Sequence, residues 1–224
     1  MPIAAAMTSA AARLDSIRQG ISAAAKAARR DPADVTLVAV SKGRSLAEIE
    51  PLIASGQRDF GENRVAEAVE KWVGLKSRNP DIRLHEIGRL QSNKAIEAVA
   101  LFDVVHSLDR RSLIDALATA ADRAGRCPDL YLQVNIGDED QKGGCAIAEV
   151  PSLVAAIRDR NLPLAGLMAI PPLGLEPAPF FALLAKLAQR ESVAGLSMGM
   201  SADYRPAVML GATVVRVGSA LFAD

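Results

Sequence analysis

Eight strand-like stretches recur along the chain, each followed by a helical pattern, and this repetition restricts the fold more than any other feature. The stretches cover residues 35–41, 59–63, 84–88, 104–108, 130–136, 164–170, 196–199 and 213–217. They begin about 25 residues apart on average, which is the length of one strand–helix unit. Eight such units predict an α/β fold of the (β/α)8 TIM-barrel type. An open doubly wound sheet is the alternative, although it more often has about five or six strands.

The residues before the first strand predict an extra helix in front of the barrel. Over about residues 8–30, apolar side chains such as Leu14 and Ile21 recur at helical spacing, which indicates an amphipathic helix. The same segment is rich in alanine and arginine, a composition that faintly resembles a transit peptide. No stretch rich in proline, glycine or serine divides the chain. We therefore expect a single domain over residues 1–224, with the barrel at about 35–222.

The charge balance and the cysteine count argue against several classes of protein. Lysine plus arginine and aspartate plus glutamate number 26 each, so no general binding to nucleic acid or to an anionic membrane is expected. No run of about eighteen apolar residues is present, which argues against a membrane span. Cys127 and Cys145 show no metal-ligand spacing with His85 or His106. We expect free thiols, no metal site, and a cytoplasmic monomer.

The first strand ends in a lysine, and this residue is the strongest candidate for chemistry. Residues 35–41 are almost entirely apolar or β-branched and predict a strand buried on both faces. Lys42 follows directly, at the strand end where barrels of this type place reacting groups. An amine at that place can form a Schiff base with an aldehyde. The alternative is an ordinary surface lysine at the end of a strand.

Polar residues and glycines also gather at the ends of the other strands. The carboxyl ends of the strands surround the active face in barrels of this type. We therefore expect these positions to line one mouth. They are Glu62, Asn63, Gly88, Ser107, Asp109, Asn135, Met168, and residues 197–201 and 216–219.

Two segments of small residues predict a phosphate site. Residues 197–201 combine Gly199, which lets the backbone approach a ligand closely, with the hydroxyl of Ser201 just before a helix. Gly218 and Ser219 form a second turn rich in N–H groups. Loops after strands seven and eight form a phosphate site in many such barrels. For Ser201 alone, a role as a helix cap is an equal alternative.

A Schiff-base lysine and a phosphate site together indicate pyridoxal 5′-phosphate, the phosphorylated aldehyde cofactor with that chemistry. Arg216 lies close in sequence to the predicted phosphate turn. Its fixed charge beside the pyridine nitrogen would disfavour protonation of the ring, and an unprotonated ring is a poorer electron sink. The alternative for Arg216 is an ion pair with Asp109 or another acid.

Seven segments, spread over roughly residues 35–222, resemble one known family and run in its order. They are VAVSK at 38–42, FGEN at 60–63, HEIGRLQSNK at 85–94, QVNI at 133–136, GLMAIP at 166–171, LSMGMSAD at 196–203 and VRVG at 215–218. The chain resembles the pyridoxal phosphate homeostasis proteins, the YggS/PROSC group, which is related to the N-terminal barrel of alanine racemase. The resemblance implies the same barrel and the same vitamin B6 cofactor.

The resemblance also implies roles for individual residues. Lys42 is expected to carry pyridoxal phosphate as a Schiff base, and Arg216 to face the ring nitrogen. Ser201, Gly218 and Ser219 match phosphate ligands, and Asn63 and Met168 match residues that line the pocket. The chain departs from the family at Glu86, where an aromatic or apolar residue is usual.

The function expected from these features is to hold, buffer and transfer pyridoxal phosphate without catalytic turnover. The partners implied are the cofactor and apo-enzymes that accept it. Related racemases use a tyrosine supplied by a second domain, and neither Tyr131 nor Tyr204 matches that motif. A small pyridoxal phosphate-dependent amino-acid racemase is the alternative. An aldolase-like barrel that binds a sugar phosphate through a Schiff-base lysine is a third candidate.

Overall fold

A closed barrel of eight parallel strands forms the centre of the molecule, as the sequence predicts. The computed structural model describes residues 9–222. Neighbours in sequence are neighbours in the sheet, and β8 pairs with β1 through Thr36↔Val214 to close the barrel. The strands are β1 Thr36–Val40, β2 Asp59–Glu62, β3 Arg83–Glu86, β4 Val104–Leu108, β5 Asp129–Gln133, β6 Leu164–Met168, β7 Gly195–Ser197 and β8 Val214–Val217.

Seven helices follow the first seven strands, and one more helix precedes the barrel. They are α1 Ala10–Ala27, α2 Leu46–Ala54, α3 Val65–Arg78, α4 Ala95–Leu101, α5 Arg111–Ala124, α6 Val150–Asp159, α7 Ala178–Arg190 and α8 Tyr204–Met209. The predicted (β/α)8 class is therefore confirmed, with an extra N-terminal helix.

Several strands end before their predicted ends, and for β5 and β6 a loop or a side chain explains the difference. The prediction extended strand five to residue 136, but β5 ends at Gln133 because the loop returns to the sheet there: Cys145 N–H donates to the carbonyl of Gln133. The prediction extended strand six to residue 170, but β6 ends at Met168. The next carbonyl, that of Ala169, accepts a hydrogen bond from the guanidinium of Arg216.

Apolar side chains fill two separate layers of the barrel. Outward-facing strand residues such as Leu37 and Val215 pack with the helices in one large cluster. Inward-facing residues form a second and much smaller cluster that includes Val38, Tyr131 and Met168. The small size of the inner cluster leaves interior positions for polar side chains, which determine much of the chemistry described below.

The leading helix α1 covers the seam where the barrel closes. Its buried residues Leu14 and Ile17 join the main core, and Arg13 Nε donates to the carbonyl of Leu221 at 2.7 Å. The prediction placed this helix over about 8–30, and residue 8 lies outside the described residues. Within residues 9–222, no helix is long and apolar enough to cross a membrane.

Candidate cofactor site

Lys42 lies in an exposed turn directly after β1, so its amine is open to a ligand at the mouth of the barrel. The turn is held from below: Arg44 N–H donates to the carbonyl of Ser41, and Gly43 N–H donates to Glu67 at 2.7 Å. Gly43 adopts a positive φ of 67°, a conformation that glycine adopts at little cost. The side chain of Lys42 is therefore exposed while its backbone is fixed.

Glu62 supports that turn from outside the barrel and does not line the mouth, contrary to the prediction. Its carboxylate is fully buried and accepts hydrogen bonds from Ser41 Oγ at 2.7 Å and Trp72 Nε1 at 2.9 Å. Lys71 Nζ lies 2.9 Å from the same oxygen and also donates to the carbonyl of Ser41. The residue before Lys42 is thus fixed by an ion pair between β2 and α3.

Ser201, Gly218 and Ser219 come together in one turn region beside β1. Gly218 N–H donates to Ser201 Oγ at 3.2 Å, which joins the loop after β7 to the turn after β8. Gly218 also lies close to Val40, two residues before Lys42: a Cβ added to it would be 3.4 Å from Val40 Cβ. The predicted phosphate ligands and Lys42 therefore flank the same seam between β8 and β1.

Arg216 points into the barrel and is buried. Its guanidinium donates to Ser197 Oγ at 2.5 Å and to the carbonyl of Ala169 at 3.2 Å. The predicted alternative, an ion pair with Asp109, is wrong because Asp109 pairs with Arg110 at 2.6 Å. Burial lowers the pKa of Arg216 to about 10, although the carboxylate of Asp203 opposes this shift. The guanidinium therefore stays charged at neutral pH.

The two predicted lining residues have different environments. Met168 is buried at the end of β6 within the small apolar cluster inside the barrel, so it forms part of the floor. Asn63 is half-buried after β2 and lines an open cleft of about 850 Å³ together with Arg64, Arg89 and Arg110. The cleft gives this side of the mouth a basic character.

Glu86, the residue that departs from the family pattern, is a buried acid beneath that cleft. Ser107 Oγ donates to it at 2.5 Å. Burial raises the pKa of Glu86 to about 8, the hydrogen bonds from Ser107 and Gly88 oppose the shift, and the nearby Asp109 adds to it. Glu86 and Ser107 therefore form a buried pair, and Glu86 lies at the base of the cleft.

Replacing Glu86 with glutamine should change how the stability of the protein depends on pH. The folded chain holds the proton more tightly than the unfolded chain, which ionises near pH 4.5. The contribution of Glu86 to the free energy of unfolding is therefore fully present below pH 4.5 and is lost as the pH rises through about 8. We expect Glu86→Gln to gain about 3–4 kcal/mol of stability relative to wild type between pH 5 and pH 8.

Urea unfolding across that pH range measures the effect, and the exposed Glu97 provides a control. Glu97→Gln removes a carboxylate that lies at the surface beside Lys94, where an ion pair contributes little to stability. Parallel curves for wild type and Glu86→Gln would show that Glu86 does not titrate as described.

The barrel interior holds three polar residues to which the sequence assigns no role: Asp59, His85 and His106. His85 Nε2 lies 2.9 Å from Asp59 Oδ1, and His85 Nδ1 lies 2.9 Å from His106 Nε2. His106 Nδ1 lies 2.8 Å from Ser197 Oγ, the same oxygen that Arg216 contacts. A histidine within each of two neighbouring apolar strands was the available signal, and it was considered only as a metal-ligand pattern.

Neither the histidines nor the cysteines form a metal centre in the described part of the chain. No group of three or more histidine, cysteine, aspartate or glutamate side chains is placed to hold an ion there. Cys127 and Cys145 are both free thiols. Burial raises the pKa of Cys127 to about 11 and that of Cys145 to about 12, so both are protonated and unreactive at neutral pH.

Comparison with known proteins assigns the chain to a family. The family model for the alanine racemase N-terminal domain matches residues 12–224. A pyridoxal phosphate homeostasis protein of Pseudomonas aeruginosa is 40% identical over 223 residues, covering 96% of each chain. The chain belongs to the pyridoxal phosphate homeostasis protein family.

Solved structures agree with this family assignment. PipY of Synechococcus elongatus, solved with pyridoxal phosphate bound, is 39% identical and has a TM-score of 0.84; the match covers 96% of this chain and all of that one. Alanine racemase of Clostridium difficile is 16% identical with a TM-score of 0.66, covering 94% of this chain and 57% of its own. That more distant likeness shows the fold alone.

Proposed function

We propose that the chain binds pyridoxal 5′-phosphate for intracellular homeostasis, holding it on Lys42 and releasing it to other proteins without turnover of its own. The observation that supports this most is the convergence at one end of the barrel. The turn after β1 supplies an exposed amine. The loops after β7 and β8 supply hydroxyl and N–H groups, and β8 supplies a buried guanidinium. The close relatives are named for pyridoxal phosphate homeostasis, which agrees with this function.

The residues present fit the proposed cofactor at both of its ends. Pyridoxal phosphate supplies an aldehyde that condenses with an amine and a ring that can accept electrons. Lys42 would hold the aldehyde end, while Ser201, Gly218 and Ser219 would bind the phosphate through hydroxyl and N–H donors. Asn63 would line the rim of the pocket, and Met168 its floor.

The fixed charge of Arg216 favours a protein that holds the cofactor over one that uses it for catalysis. A guanidinium remains charged and has no proton acceptor, so beside the ring nitrogen it would disfavour protonation of the ring. Carbanion chemistry on the cofactor would then be restrained.

Neither tyrosine of the chain is placed to serve as the second acid–base group of a racemase. Two-base racemisation needs a proton donor on the face opposite the lysine. Tyr131 lies inside the barrel and stacks on His106. Tyr204 is buried at the start of α8 against α1, where a Cβ on Gly20 would clash with its hydroxyl. Neither tyrosine reaches the mouth.

Several finer features remain part of the proposal. We propose that the whole chain, residues 1–224, acts as one domain, that it works in the cytoplasm, and that it does so as a monomer. Apo-enzymes that need pyridoxal phosphate would be the acceptors. Its balanced charge argues against nucleic acid as a partner.

A spectroscopic titration of the wild-type protein tests the proposal. Adding pyridoxal phosphate should produce the absorption band of a Schiff base, with saturation at one cofactor per chain. Incubating the loaded protein with single enantiomers of alanine, or of other amino acids, should give no conversion at enzyme-like rates. A protein that neither contains nor gains the band would refute cofactor binding, and steady racemisation would favour the enzyme.

A further inference from the structure

A continuous hydrogen-bonded relay crosses the interior of the barrel from its foot to Arg216. It begins at Asp59, the first residue of β2, and passes through His85 on β3, His106 on β4 and Ser197 on β7. It ends at the guanidinium of Arg216 on β8. Every heavy-atom separation along it lies between 2.5 and 2.9 Å, the range of good hydrogen bonds.

The two ends of the relay have opposite charge and different access to water. Asp59 is half-buried and lines a cavity of about 420 Å³ at the foot of the barrel, beside α1. Arg216 is buried at the other end, and no carboxylate within residues 9–222 forms an ion pair with it. A buried charge without a paired charge requires hydrogen bonds to hold it. Ser197 and Ala169 provide them.

One assignment of protons uses every donor and acceptor in the relay. Arg216 donates to Ser197, whose hydroxyl donates to Nδ1 of His106. His106 donates from Nε2 to Nδ1 of His85, and His85 donates from Nε2 to Asp59. Both imidazoles are then neutral and carry their proton on Nε2. If His85 carried a second proton, its Nδ1 would donate to Nε2 of His106, and His106 would then be protonated on Nδ1 and donate to Ser197. The hydroxyl proton of Ser197 would have no acceptor in the relay.

The surroundings of His106 favour this neutral state. His85 faces it from β3, Tyr131 stacks on it from β5 with ring centroids 4.6 Å apart, and Arg216 faces it from β8. Burial lowers the pKa of His106 well below its usual range, and the neighbouring His85 and the charged Arg216 add to this effect. Outside the relay, Asp203 at the start of α8 acts on Arg216.

We propose that His106, supported by His85 and Asp59, is a positioning residue that fixes Arg216 beneath the mouth and links it to the foot of the barrel. The consequence for the cofactor ring rests on the function proposed above. A fixed guanidinium keeps the ring nitrogen unprotonated, whereas a guanidinium released from Ser197 can withdraw and let the ring take up a proton.

The tautomers of the two histidines provide a test that needs neither a variant nor the cofactor. Nitrogen NMR of the purified protein at neutral pH, before pyridoxal phosphate is added, should show His85 and His106 neutral and protonated on Nε2. A charged His106, or one protonated on Nδ1, would overturn the relay. This result stands whether or not the protein later binds the cofactor.

The effect on the cofactor is tested with His106→Phe, and Tyr131→Phe is the matched control. Both side chains lie in the same stack inside the barrel, but only His106 belongs to the relay. We expect His106→Phe to keep the Schiff-base band. The pH at which half of the cofactor rings are protonated, measured from the absorption spectrum, should rise by about one unit, a tenfold change in ring protonation. Tyr131→Phe should keep the wild-type midpoint. Equal midpoints in all three proteins, or equal shifts in both variants, would refute positioning by His106.

A second pair of variants, which disturbs packing less, tests the relay if His106→Phe does not fold. Asp59→Asn removes the charge at the foot of the relay, and Asp129→Asn makes the same change at the first residue of β5, where the side chain pairs with Arg83 at the surface. Only Asp59→Asn should change the nitrogen shifts of His85 and His106. Unchanged shifts would contradict the link to the foot. Wild type that shows the predicted tautomers but binds no cofactor would refute the proposed function alone.

Discussion

Replacing Lys42 with alanine is expected to abolish the Schiff-base absorption band that pyridoxal phosphate should give with the wild-type protein. The amine of Lys42 is exposed beside the turn formed by Ser201 and Gly218. The phosphate turn remains in the variant, so weak and colour-shifted binding of the free aldehyde can persist while the covalent attachment is lost. Absorption spectra during a cofactor titration, followed by gel filtration, measure both quantities.

Two further variants make this result specific to the amine of Lys42. Lys42→Arg keeps the positive charge but not the amine, and it should lose the band as completely as Lys42→Ala. Lys186→Ala removes an exposed lysine from α7, away from the mouth, and should keep the wild-type band. A full band in Lys42→Arg would assign the attachment to another lysine.

Replacing Lys71 with methionine is expected to lower the free energy of unfolding by about 3–5 kcal/mol. Lys71 is the cation that pairs with the fully buried Glu62, at 2.9 Å. Its loss leaves a carboxylate in the core with only the hydrogen bonds of Ser41 and Trp72. Urea unfolding followed by the fluorescence of Trp72, the only tryptophan of the chain, measures the loss.

The exposed pair between Lys94 and Glu97 gives the matched control for Lys71. The partners lie 3.0 Å apart at the surface, Lys94 just before α4 and Glu97 within it, and Lys94→Met should cost less than about 1 kcal/mol. Adding Glu62→Gln to Lys71→Met should recover part of the stability, because it removes the unpaired charge. Equal costs for the two lysine variants would contradict a stabilising role of the buried pair between Lys71 and Glu62.

Element types were predictable from sequence because apolar runs and helical spacing are local signals. All eight strands and the helices between them were found, and the leading helix was predicted from residues such as Leu14. The position of Lys42 after β1 followed from the same pattern. The grouping of Ser201 with Gly218 also followed, since both loops leave the same end of a parallel barrel.

The direction of a side chain at a strand end could not be predicted from the sequence. Glu62 ends β2 and was expected at the mouth, yet its side chain turns outward against α3. Glu86 ends β3 and is noted in the sequence only as a departure from the family pattern, yet it is buried beside Ser107. Both faces of a parallel barrel strand are buried, so apolarity does not distinguish inside from outside. His85 and His106 remained unexplained for the same reason: their pairing depends on strand register, which brings β3 and β4 side by side.

The hydrogen bond from Arg13 to the carbonyl of Leu221 joins residues 208 positions apart, and the seam that α1 covers is formed by β1 and β8. A nascent chain still lacking β8 therefore has two open sheet edges and an uncovered apolar face on α1. Such edges are sites of wrong pairing with other chains. The barrel closes only when its two ends meet, so Lys42 after β1 and Arg216 on β8 come together at one end of the barrel only late in biosynthesis.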